Sequence, residues 1–170
     1  STLTRLAMLA DKLDTNSFTG AKATIQGYLN AIGVTGDEAK RFLTDVSSFR
    51  QGLNDLAAAN FKDMTGAISN FDVDFTLKRQ PQLTDVRESN QFNLAVMQAQ
   101  DERKKEFYRF IQKNPTPDAI LRWEESEKGK TSIYESPKLR KYLPQQVVQS
   151  GPHKGKTAYI LPDGSAKVFD

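Results

Sequence analysis

The residues that come nearest to carrying chemistry lie late in the chain, in Gly151-Pro-His-Lys-Gly155-Lys156-Thr157. A phosphate-binding loop sets four residues between its glycines, follows the second with Lys and Ser or Thr, and opens a helix whose amides hold the anion. Here three residues separate the glycines, Ser150 stands where the first glycine belongs, and Ala158-Tyr-Ile-Leu-Pro162 reads as a strand ending in proline. A basic hairpin loop is expected, not a nucleotide cradle. His153 is the only histidine and there is no cysteine, so one chain lacks the ligands for a histidine- or thiolate-based metal cluster. Trp123-Glu124-Glu125 invites a glycosidase reading, since those enzymes use two carboxylates. Adjacent helical carboxylates point in different directions, so a charged helix surface is the better reading. Asp72 and Asp74 are explained by the favourable field at a helix start. No catalytic constellation emerges; the chain is expected not to be an enzyme and to hold no cofactor or metal.

Charge is the remaining chemical signal. The net charge of +3 over 170 residues is unevenly spread. Residues 1–100 hold 10 Lys/Arg against 11 Asp/Glu, whereas 101–170 hold 14 against 10. Between 128 and 156 stand Lys128, Lys130, Lys138, Arg140, Lys141, Lys154 and Lys156, opposed by Glu135 alone. Lys138, Arg140, Lys141, Lys154 and Lys156 are the candidates for contact with nucleic-acid phosphate or an acidic partner. The plainer reading is a solvated tail, because no base-stacking aromatic motif accompanies them.

These residues must be positioned by elements whose signals are mostly helical. Leu3, Leu6, Ala10 and Leu13 make one stripe of a short amphipathic helix. After a turn at 14–17, Thr19 is expected to cap a second helix burying Ala21, Ile25, Tyr28, Leu29 and Ile32, with Gly33 just past its end. Thr35 and Glu38 form a capping-box pattern, with Val34 and Ala39 as its hydrophobic staple. A third helix is expected over about 36–64, on the order of 40 Å long. Its seam, Phe42, Val46, Phe49, Leu53 and Leu56, repeats at four, three, four and three residues. That seam is a packing surface within the chain or, alternatively, a self-associating one, and Gly52 is a mild weak point in it.

Thr65-Gly66 should end that helix, Ser69 with Asp72 should start another carrying Phe71 and Phe75 on one face, and Pro81 should stop it near Gln80. A further helix over about 85–112 has an almost wholly polar middle at 98–106, a solvated rod of the kind that connects two apolar patches. Thr116-Pro117-Asp118 opens a helix in which Ile120, Leu121 and Trp123 pack and which Lys128-Gly129 closes, and Ser136-Pro137 opens a short one over 138–143. From Val147 onward the period changes to two, and the turn Pro162-Asp163-Gly164 separates the last two runs.

The fold class read from these signals is mainly α, an elongated helical bundle with a small C-terminal β-hairpin or meander. Its parts are a helical region at 1–112, short Pro-capped helices at 113–144 and a basic hairpin tail at 145–170. Hydrophobic content of 38% and a mean hydropathy of −0.59 suit elongated helices or surfaces completed by other copies of the chain. No run approaches the roughly 18 apolar residues of a membrane span. Ser1 lies close to a helical pattern, so the chain is expected to be a processed product or part of something longer.

Leu13-Asp-Thr-Asn-Ser-Phe-Thr-Gly-Ala21, Ala31-Ile-Gly-Val34, Thr65-Gly-Ala-Ile-Ser-Asn-Phe71 with Asp74-Phe75, Pro81-Gln-Leu83 and Asn90 carry a resemblance. Together they resemble a region near the C-termini of large virion proteins of tailed bacteriophages, of the internal, DNA-ejection or tail tape-measure kind. The similarity covers about residues 10–112, and its motifs are caps and turns. Lys154-Gly-Lys-Thr-Ala-Tyr159 and Asp163-Gly-Ser165 resemble the small β ending of some of those proteins. The resemblance implies a virion structural protein in the capsid interior or tail lumen, a homo-oligomer acting with portal, tail-tube or ejection proteins and in reach of phage DNA. It supplies no catalytic residue. The alternatives are a tail tape-measure end piece and, less favoured for want of a supported acid, a peptidoglycan hydrolase domain.

Overall fold

The computed structural model describes residues 1–62, 68–83 and 85–170. It is mainly helical, with a three-stranded antiparallel sheet at the C-terminus. The helices are α1 (Thr2–Lys12), α2 (Thr15–Ala31), α3 (Gly36–Phe42), α4 (Val46–Lys62), α5 (Asn70–Arg79), α6 (Val86–Lys113), α7 (Ala119–Glu125), α8 (Glu127–Lys130) and α9 (Pro137–Arg140). Two 3₁₀ turns, Gln80–Gln82 and Ile133–Glu135, lie between them, and β1 (Gln145–Val147), β2 (Thr157–Ile160) and β3 (Ala166–Val168) close the chain. The expected end of a helix at Thr65-Gly66 lies outside the described residues.

The chain divides into two compact units. One comprises Ser1–Asp63 with Gln80–Gln98, the other Met64–Arg79 with Ala99–Asp170. The dividing point in α6 falls where its sequence turns polar.

The first unit is built on apolar stripes. Leu6, Ala10, Leu13, Phe18, Ile25, Leu29, Val34, Ala39, Phe42, Phe49 and Leu53 form one continuous core. Phe49 is wholly enclosed and lies 6.0 Å from the Phe18 ring. Val46 and Leu56 are only partly buried at the margin of that core. Most of the expected seam is therefore interior to the chain.

The long third helix is broken in two. Leu43 ends α3, the Thr44 hydroxyl donates back to the Lys40 carbonyl, and the Asp45 carboxylate accepts from the Ser48 amide at 2.7 Å. Short side chains that satisfy backbone groups locally favour a new helix start over continuation. The second helix likewise begins earlier than expected. Asp14, not Thr19, caps it, exchanging bonds with Ser17 at 2.8 and 3.0 Å, and this turns Phe18 into the core. Thr35 occupies the cap position of α3 without a side-chain cap bond, and Ile32, expected inside, is 37% exposed.

Polar clips complete this unit. Arg50 donates to the Ala10 and Leu13 carbonyls at 3.0 and 2.8 Å, satisfying the C-terminal end of α1. Asn90 donates to the Ala7 carbonyl, and Asn93, Asn54 and Gln80 bond one another. Buried carboxamides need partners, and these find them among themselves.

In the second unit Trp123 is buried against the rings of Phe107 and Phe110, each 5.6 Å away from centre to centre. Ile120 and Leu121, expected to pack beside it, are 55% and 56% exposed. Their helix is short: α7 starts at Ala119 and ends at Glu125, so only Ala119 and Trp123, one turn apart, face inward. Ser126 then caps α8 by accepting from the Gly129 amide. The sheet order is β1-β2-β3, with Gln145 opposite Tyr159 and Ala158 opposite Val168.

Candidate functional site

The basic candidates separate by what holds them. The Arg140 guanidinium donates to the Glu135 carbonyl at 2.7 Å and stacks 3.6 Å from the Phe169 ring centre. It clips α9 to the C-terminal end of the chain instead of facing a ligand. Lys156 pairs with Asp170 at 3.1 Å, and Lys128 reaches Glu106 at 3.5 Å. Lys138, Lys141 and Lys154 are exposed and carry no ion pair among the described residues, Lys141 lying 5.2 Å over its neighbour Tyr142. Of the five candidates, Arg140 and Lys156 therefore have partners within the fold, and Lys138, Lys141 and Lys154 have no ion pair among the described residues.

The 151–157 stretch is a hairpin loop between β1 and β2. The Val148 amide donates to the Lys156 carbonyl and the Gly155 amide to the Val148 carbonyl, both at 2.9 Å. Gly151 and Gly155 hold φ of 82° and 84°, left-handed values that a side chain would strain. Strand β2 follows Lys156 directly, where a phosphate-binding loop would open a helix. His153 is exposed, and among the described residues no group of three or more His, Cys, Asp or Glu is placed to hold a metal.

The sequence reading missed Asp72. Ser69 does cap α5, its hydroxyl accepting from the Asp72 amide at 3.2 Å, but the Asp72 carboxylate turns inward. It accepts from the Ser132 hydroxyl at 2.6 Å and the Ile133 amide at 3.2 Å, and is only 2% exposed. Burial pushes its pKa above the usual 3.8 despite those two bonds and the nearby Arg103 charge. One turn on, Thr76 donates to the Asp72 carbonyl at 2.8 Å. Having spent its one proton there, the Thr76 hydroxyl must accept from Tyr134 in their 2.5 Å contact. Burial, first of all, raises the Tyr134 pKa and keeps that donor protonated. Acid and acceptor pairs some 60 residues apart leave no local spacing to read; an Asp three residues past a Ser is also what a helix start looks like.

Beside Asp72 lies a cavity of about 600 Å³ with Phe71, Trp123, Glu124, Lys130, Ser132 and Asp163 among its walls. Phe71 is 60% exposed, not paired on one face with Phe75, which instead meets the Tyr134 ring edge-on at 4.7 Å. Glu124 is on this wall while Glu125 and Asp74 are exposed elsewhere on their helices. Asp163 accepts from the Ser165 amide and hydroxyl, which hold its carboxyl below the ordinary value. In the first unit a groove of about 710 Å³ runs along Phe42, Gln51, Gly52 and Leu56. Among the described residues no helix is long and apolar enough to cross a membrane. Compared with known proteins, the chain matches no family model, no curated protein and no solved structure.

Proposed function

We propose that this chain is a structural virion protein of a tailed bacteriophage that helps DNA leave the capsid through the portal–tail axis. It acts without catalysis, in several copies, beside portal, tail-tube or other ejection proteins, in the capsid interior or tail lumen. The observation that carries the reading is the resemblance of residues 10–112 to that family. Its quoted residues are the ones that punctuate the helices: Asp14 and Ser17 cap α2, Gly33 with φ of 84° ends it, Ser69 caps α5 and Pro81 sits in the following 3₁₀ turn. The exposed Lys138, Lys141 and Lys154 support contact with DNA phosphate, a contact that weakens as salt competes for the anion.

A mass-spectrometric inventory of purified particles before and after genome release tests the reading. The chain is expected in filled virions and depleted from emptied ones. Full retention at the copy number of a tail-tip ring would instead favour the tape-measure end piece, and turnover of purified cell wall by the chain would favour the hydrolase.

A further inference from the structure

We propose that the cavity beside Asp72 takes the Lys154 loop of a second copy of this chain, so that copies associate head to tail. The cavity, about 600 Å³, is of the size that encloses a side chain and its neighbours. Its wall carries an aromatic ring, Phe71, 60% exposed, that packing within the chain leaves unused. The exposed charges on the wall are Glu124 and Asp163 against Lys130, and the Asp163 carboxylate is fixed by its bonds from the Ser165 amide and hydroxyl. An aromatic face beside carboxylates suits an ammonium group and its aliphatic stem.

The matching knob is on the same sheet. The β1–β2 loop is exposed from Gly151 to Thr157, its shape is fixed by two left-handed glycines, and Lys154 within it has no carboxylate partner among the described residues. That loop enters β2 at Thr157, whereas the turn bearing Asp163 leaves β2 after Ile160. Four residues of strand, about 10 Å, separate the two. Knob and cavity lie at opposite ends of one sheet, so complementary charge is satisfied between chains. An interface that joins two different patches is heterologous and builds rings or open chains of subunits.

The inference does not depend on the virion reading, and its test uses the purified full chain. Sedimentation velocity is expected to show concentration-dependent oligomers that dissociate as salt rises. Lys154→Glu and Glu124→Lys should each weaken self-association by at least about tenfold, and Phe71→Ser should do so without a charge change. Circular dichroism checks that each variant keeps its helix content. Mixing Lys154→Glu, which keeps its cavity, with Phe71→Ser, which keeps its loop, should give a dimer and nothing larger. A chain that stays monomeric at all concentrations overturns the proposal. So does association that survives both Phe71→Ser and Lys154→Glu, or a mixture that fails to dimerise. Loss of association in the cavity variants alone, with Lys154→Glu unaffected, also overturns it and assigns the cavity another occupant.

Discussion

The two units are held together by different physics. In the first, the buried polar groups are almost all neutral: Asn54, Asn90, Asn93 and Gln80 bond each other or backbone carbonyls around a continuous apolar core. In the second, the join between α5 and the Ile133–Glu135 turn is made by a carboxylate and a phenol, Asp72 to Ser132 and Tyr134 to Thr76. Neutral carboxamides do not titrate, so the first unit's interior is indifferent to pH and its weak points are those of packing. A buried carboxylate makes the second unit's stability depend on protonation.

Removing core volume from the first unit should therefore give the largest effect. Phe49 has no exposure, and Phe49→Ala leaves a cavity among Phe18, Phe42 and Leu53 that fixed helices cannot collapse. The expected cost is about 3 to 5 kcal/mol in urea unfolding. A cost below about 0.5 kcal/mol would place that face in solvent and remove the distinction drawn between the units.

Adding volume comes next. Replacing a mid-helix glycine with alanine ordinarily stabilises by roughly 0.5 to 1 kcal/mol. At Gly52 a new methyl would stand 2.6 Å from the Phe42 ring, which is itself buried. The ring must move against a packed core, so Gly52→Ala should reverse the usual sign and destabilise by about 1 to 3 kcal/mol. A raised melting temperature in this variant would show that the Phe42 side of the core yields, against the packing-limited picture of this unit.

That glycine shows where the sequence was legible and where it was not. The stripes of α1 and α2, the seam at Phe42, Phe49 and Leu53 and the terminal meander follow from periodicity, and periodicity reports which face is buried; the middle of α6, expected as a solvated rod, instead buries Gln100 and half-buries Arg103, which donates to the Lys128 carbonyl. Helix boundaries at Asp14 and Asp45 did not follow, because a single short side chain bonding an amide decides them and the apolar period runs on unbroken. The role of Gly52 depends on a ring ten residues earlier, across the break between α3 and α4. In the second unit, the Asp72–Ser132 and Thr76–Tyr134 bonds and the stacking of Arg140 on Phe169 join residues that sequence spacing does not connect. Arg140 and Lys156 bond within the fold, and charge density says nothing of which cations the fold itself uses.

A smaller effect, confined to the second unit, concerns pH. The folded pKa of Asp72 lies above 3.8, so the fold favours its neutral form. The stability this contributes is fully present below the ordinary value and is lost as pH rises through the folded one. Asp72→Asn keeps a neutral acceptor of nearly the same shape. Relative to wild type, the variant should therefore gain stability as pH rises above the ordinary aspartate value of about 4. Asp14, Asp45, Asp118 and Asp163 are shifted downward and push the other way, but they are present in both proteins and cancel in the difference. A difference in urea midpoint that is flat with pH would mean that Asp72 titrates as in water, and the contrast between the units would rest on packing alone.

The smallest effect belongs to the loop that first looked like chemistry. Lys156 is half exposed and its one ion pair, to Asp170, spans two solvated side chains. Such pairs contribute about 0 to 1 kcal/mol, and Lys156→Ala should leave the unfolding midpoint within experimental error. A phosphate-binding lysine behaves otherwise, because it works with a row of amides at a helix start, and here a strand occupies that place. Calorimetry with ATP or GTP should accordingly show no saturable heat for either protein. Saturable binding lost on Lys156→Ala would mean that the loop holds phosphate by backbone geometry after all, and that the second unit owes its basic end to a ligand instead of to association.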